Sequence, residues 1–164
     1  MRRFWFGLLA AGAICATAGT SAAAPALPEG FIIAAPADLH WVDVPGNCGI
    51  KVAAVAGAQD KPGVYVIRVR FPPHCMSTPH WHSTDRYVTV IQGTWSAGLG
   101  PVFDPSKATP LGPGSFMKHP ANGVHWDGSA GDEAAIVQII GMGPVVTTQV
   151  DPKQPDFART DAAK

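Results

Sequence analysis

The chain has 164 residues, 46% of them hydrophobic, with twelve basic side chains balanced by twelve acidic ones, and its length fits one domain of ordinary size. That balance argues against nucleic acid, which calls for a basic patch, and no juxtamembrane basic cluster appears. A small molecule is the default partner.

The N-terminus reads as an export signal. Met1-Arg2-Arg3 is positive, residues 4–19 are uncharged and mostly apolar, and Ser21-Ala22-Ala23-Ala24 offers small residues for cleavage. Cutting after Ala24 would leave Pro25 first, so the expected signal peptide is 1–23 and the expected location periplasmic or secreted. The apolar run falls short of the ~20 residues a membrane span needs. Without Arg2 and Arg3, ten basic residues face twelve acidic ones, a net charge of −2. Of three cysteines, Cys15 leaves with the leader. Cys48 and Cys75 then stand as a disulfide candidate in an oxidising compartment. Free buried thiols, or a role for Cys75 near the site, are the alternatives.

After an extended lead-in over 24–44, short apolar runs alternate with Gly and Pro, and no amphipathic helix is evident. Residues 50–56 read as strand or helical turn. Residues 64–71 alternate, with Tyr65, Ile67, Val69 and Phe71 on one face, until Pro72-Pro73 ends the run. Residues 72–77 are expected to form a loop. Further strands are expected at 79–82, 86–91, 94–98, 115–119, 124–127, 134–140 and 145–150, with a loop at 99–111. Residues 151–164 read as a loosely ordered, flexible tail. Many short strands with regular turn signals imply an all-β sandwich or barrel in a single domain.

The chemistry lies in the histidines. On a strand, His80 and His82 face one way while Trp81 faces the other. His125 begins another strand, and three converging imidazoles suit a late first-row metal. Trp81, Trp95 and Trp126 are expected in the core or at a dimer interface.

At this point the sequence resembles a known family. Pro79-His80-Trp81-His82, Arg86 and Gly93-Thr94-Trp95 are similar to the first cupin motif, which runs His-x-His, three or four residues, Glu, six residues, Gly. Leu111-Gly112-Pro113-Gly114-Ser115-Phe116, Pro120 and Gly123-Val124-His125 are similar to the second. The resemblance spans roughly residues 45–150 and implies a double-stranded β-helix, or jelly-roll, barrel. It further implies one divalent metal (Fe, Mn, Zn or Ni) held by His80, His82 and His125, and a homodimer is compatible with it. The motif-one Glu, however, is replaced by Arg86, and a guanidinium cannot serve as an ordinary ligand.

Three arrangements are open. Arg86 swings away to pair with Asp85, or it stays to receive a substrate carboxylate or phosphate, or the metal is absent and the histidines serve otherwise. Asp85 is a candidate substitute ligand or site-tuning residue. His74, His119, Phe116 and Val90 are candidates for the pocket lining. The functional expectation is an exported metalloprotein binding a small polar or anionic organic molecule, as an oxygenase or isomerase if catalytic. The alternative is a non-catalytic binding or sensing cupin without metal.

Overall fold

A computed structural model describes residues 27–46 and 48–161. The expected signal peptide lies outside them. The chain divides into a unit ending at Phe31 and one running from Ile32 to Lys164, and every strand described here belongs to the second. Among the described residues no helix is long and apolar enough to cross a membrane.

Two antiparallel sheets build the domain. The first contains β1 (Val42–Asp43), β2 (Lys51–Ala56), β3 (Gly63–Phe71), β11 (Ala135–Gly143), β6 (Arg86–Gln92) and β9 (Phe116–His119), in that spatial order. In the second, β10 (His125–Ser129) is central. One edge of β10 pairs with β5 (His80–His82) and β4 (Cys75–Ser77), and the other with β7 (Trp95–Leu99). Outside these lie β12 (Thr147–Gln149) on β5, β13 (Phe157–Arg159) on β4 and β8 (Thr109–Leu111) on β7.

The alternation in the sequence explains which faces close on each other. Tyr65, Ile67, Val69 and Phe71 of β3, Val88 and Val90 of β6, and Val137 and Ile139 of β11 are all buried in one core. Each such side chain contributes about 1.5–3 kcal/mol on leaving water. A one-residue slip of β3 would instead bring Arg68 and Arg70 inward, so the register is strongly specified. Arg86 heads the same inward face as Val88 and Val90.

One open expectation resolves and three segments differ. Residues 50–56, expected as strand or helical turn, hold strand β2 over Lys51–Ala56. The expected loop at 72–77 yields β4, whose partners Gly128 and Ser129 lie some fifty residues away and leave no local signal. The 99–111 loop contains β8, an outer strand where Pro110 costs no ladder bond. The expected flexible tail is corrected too, because Phe157–Arg159 pairs with β4. There Thr78 donates its backbone N–H to Asp156 O and its hydroxyl to Pro155 O. Phe157 packs against the core, and that apolar contact anchors an otherwise polar segment.

Glycine is required where β10 passes β4. Gly128 has φ +154°, and a Cβ there would run into the backbone of Cys75 and Met76. Beside this contact Cys75 is joined to Cys48 with a Cα–Cα distance of 5.6 Å, closing a loop of 27 residues. Loop-closure entropy gives such a crosslink about 3 kcal/mol. The double variant Cys48→Ser/Cys75→Ser is therefore expected to unfold at lower denaturant by that amount. An unchanged midpoint in chemical denaturation would contradict the stabilising role.

Candidate functional site

One cavity of about 330 Å³ is lined by residues of both sheets. Ile50, Ile67, Val69, Phe71, Ile139 and Phe157 form its apolar wall, and its polar end carries His80, His82, Arg86, His119 and Asp127.

Strand pairing fixes the histidines. His125 sits directly opposite His80 in the β5–β10 ladder, which brings their ring centroids to 4.4 Å. His82, two residues along β5, shares their face, with its ring 4.9 Å from His80 and 5.2 Å from His125. Each ring is also held through Nδ1. His80 Nδ1 lies 2.8 Å from Thr78 O and His125 Nδ1 2.9 Å from Gly123 O. Because carbonyl oxygens only accept, both Nδ1 atoms must donate, leaving the Nε2 lone pairs free. His82 Nδ1 lies 2.9 Å from Thr147 Oγ1, which β12 places opposite it. Such partners orient metal-binding imidazoles in known sites. His80, His82 and His125 thus form a group able to hold a metal ion, with ligand atoms all within 4.8 Å of one another.

Arg86 enters from the other sheet, opposite His119 in the β6–β9 ladder. It does not pair with Asp85. That carboxylate faces outward, 2.7 Å from Lys118 Nζ, and accepts the Ala121 N–H at 2.8 Å. Asp85 is therefore neither a ligand nor a site residue, because it is one position out of phase with the inward set. Arg86 is 8% exposed and points Nη1 at His82 Nε2, 2.5 Å away. Its Nε is buried without a partner, and among the described residues it forms no ion pair. Burial lowers its guanidinium pKa from the ordinary value, opposed by nearby Tyr65 and Asp127. A guanidinium nevertheless stays charged in proteins.

The other candidates separate cleanly. His119 lines the cavity and is 2% exposed, its ring 3.6 Å from that of His125. His74 does not reach it, since its ring bonds Asp132 at 2.7 Å near the surface. Phe116 is 60% exposed and stacks on Tyr87, on the outward parity of β9. Val90 is buried in the core and does not line the cavity. Trp95 and Trp126 are buried, while Trp81 is half-buried on the far face of β5. Sequence reasoning missed Asp127 and Thr147. Asp127 was within reach, being two residues after His125 on the same strand face. Thr147 carried no local signal.

The family model described as Cupin matches residues 49–158. The chain belongs to the cupin family. Solved structures share the jelly-roll barrel. KdgF from Halomonas sp. is 23% identical over 69% of this chain and 94% of that one, with a TM-score of 0.53. The polyketide cyclase RemF from Streptomyces resistomycificus is 15% identical over 74% and 88%, with a TM-score of 0.58. An RmlC-like cupin from Shewanella frigidimarina NCIMB 400 is 15% identical over 70% and 91%, with a TM-score of 0.54. At these identities the likeness is one of fold. No curated protein matches the chain.

Three of the cupin's buried imidazoles, those of His82, His119 and His125, are held toward the neutral form. Burial pushes His119 down to about 3 and His125 to about 4, outweighing the upward pull of Asp127 on both. Burial and then the Arg86 charge hold His82 far below the ordinary histidine range. Because these folded-state values lie below the unfolded ~6.5, the unfolded chain binds more protons on acidification. Stability is then full above pH ~6.5 and falls as pH drops toward the folded values, by about 1.4 kcal/mol per pH unit per histidine. Urea unfolding of metal-free protein between pH 7 and 4.5 should show this slope, and His119→Gln should reduce it. A flat profile would contradict neutral burial.

Proposed function

We propose that this cupin is an exported metalloprotein that binds one divalent first-row cation through His80, His82 and His125, and a small anionic organic molecule through Arg86. The observation that carries the metal reading is the anchoring of all three rings at Nδ1, which presents three Nε2 atoms to one region. The rings suit such an ion. The guanidinium on His82 is the one feature opposing it, so Arg86 must leave His82 Nε2 when the ion binds. A bound cation would supply Lewis acidity to a small ligand. The chain's own residues do the rest. Thr78, Thr147 and Gly123 hold the rings, the apolar wall excludes water, and Arg86 offers donors to a carboxylate or phosphate.

The anionic preference follows from the buried guanidinium. An uncompensated buried cation is costly, and a ligand carboxylate would relieve that cost. The Cys48–Cys75 bridge supports the export reading, since such bonds persist mainly in oxidising compartments. Oxygenase, isomerase and plain binding activities all remain compatible with a fold that hosts many functions. The Arg86–His82 contact favours a second reading, a binding or sensing cupin without metal.

Metal analysis of untagged protein separates the two, with about one equivalent expected. No metal, and none after reconstitution, would remove the metalloprotein reading. Arg86→Glu removes the competing cation and adds a carboxylate, so cation affinity should rise by roughly tenfold or more. Equal or weaker affinity would show that Arg86 does not oppose the ion. A thermal-shift screen against small carboxylates should give stabilisation that Arg86→Met abolishes. A shift that survives in that variant would place the anion elsewhere.

A further inference from the structure

We infer that the cavity contains a second metal position, formed by His119, His125 and Asp127, which takes a divalent first-row cation and shares His125 with the three-histidine group. The donor atoms of these three residues lie within 4.8 Å of one another, and all three residues are buried. Asp127 Oδ2 is 3.8 Å from His125 Nε2 and 4.0 Å from His119 Nε2. Those separations are too long for hydrogen bonds. They exceed by about half an ångström or more the roughly 3.0–3.4 Å between neighbouring donors around one cation with bonds of about 2.0–2.2 Å, so binding would draw the three side chains inward.

Unsatisfied atoms provide an independent observation. Both ring nitrogens of His119, and Nε2 of His125, are buried with no hydrogen-bond partner. Buried polar atoms are nearly always partnered, so one nitrogen of His119 and Nε2 of His125, bare beside one carboxylate, ask for a common partner. A plain core histidine would have at least one nitrogen bonded to a backbone oxygen, as His80 does to Thr78. A cation satisfies His119, His125 and Asp127 together.

The local construction explains why these residues meet. His125 and Asp127 are two apart on β10 and share a face, while β9 brings His119 over from the opposite sheet. Asp127 is held through its backbone, whose N–H donates to Ser77 Oγ at 2.9 Å while its carbonyl accepts from Ser77 at 3.1 Å. Its carboxylate is left for the cavity.

Charge distinguishes the two positions. The three-histidine group holds no carboxylate donor and includes the nitrogen that Arg86 engages. The His119–His125–Asp127 group includes an anion and does not need His82. Two imidazoles and one carboxylate form a donor set suited to ions such as Fe(II), with coordination positions left open. Since His125 Nε2 can bind one ion at a time, the positions are alternatives and the total stays at one equivalent. This inference adds a position to the function proposed above and does not require the three-histidine group to be filled.

Cobalt(II), followed by visible absorption and calorimetry on untagged protein, tests the assignment. In the double variant His80→Gln/His82→Gln the three-histidine group is gone. One equivalent of cobalt is expected to bind still, and adding Asp127→Asn or His119→Gln should weaken that binding by roughly a hundredfold. Thermal melts confirm that each variant is folded, and the two added substitutions serve as separate checks. Cobalt binding to wild type but not to the double variant would overturn the second position and leave the three-histidine reading intact. Undiminished binding after Asp127→Asn and after His119→Gln, each added in that background, would also overturn it. Failure of wild type to bind would remove both.

Discussion

The β5–β10 register is the constraint on which the site depends. With His125 opposite His80, three rings and the Asp127 carboxylate come together at one place, their donor atoms grouped within a few ångströms. Side chains alternate on a strand, so a shift of one residue would turn His125 and Asp127 outward together. The neighbours of β10 hold the register from both edges, β7 along four residue pairs and β4 at Gly128 and Ser129. Gly128 permits the close pass with β4 and the disulfide is attached to the same strand, so the scaffold is reinforced next to the polar cluster.

The cavity's polar end combines neutral and charged groups. Burial favours the neutral rings of His82, His119 and His125, which prepares them as lone-pair donors, while one guanidinium brings a fixed positive charge from the facing sheet. Asp127 is the only carboxylate close to His119 and His125 among the described residues. The polar end therefore divides into a cationic corner, Arg86 against His82, and an anionic one, Asp127 against His119 and His125. An apolar wall completes a space that can grip a small charged molecule by one end.

Much of this was legible in the sequence, for identifiable reasons. Period-two alternation located β3, because it has one buried face and one more open one, and short runs between turn signals located β6 and β11. The His-x-His spacing and the second motif pointed to a cupin barrel. Partners defined only by distant pairing were not legible. β4 and β13 are three residues each and gain their identity from each other and from β10, so nothing local marks them. The same holds for Thr147, brought to His82 across the β5–β12 ladder. Arg86 was correctly singled out, but its direction was not readable, since the choice between Asp85 and the cavity depends on strand parity and on Lys118 claiming Asp85. Phe116 and His119 show the same rule, because parity on β9 sends the first outward and the second inward.

The placement of β13 has a consequence for biogenesis. Phe157 and Asp156 stand in the cavity wall, although the motif histidines come from residues 80–125. While the ribosome is still adding residues short of Phe157, all the imidazoles have been synthesised but one side of their enclosure has not. The ion-competent chamber is thus among the last parts of the domain to close. Enclosure of the histidine cluster therefore waits for the last strand of the domain.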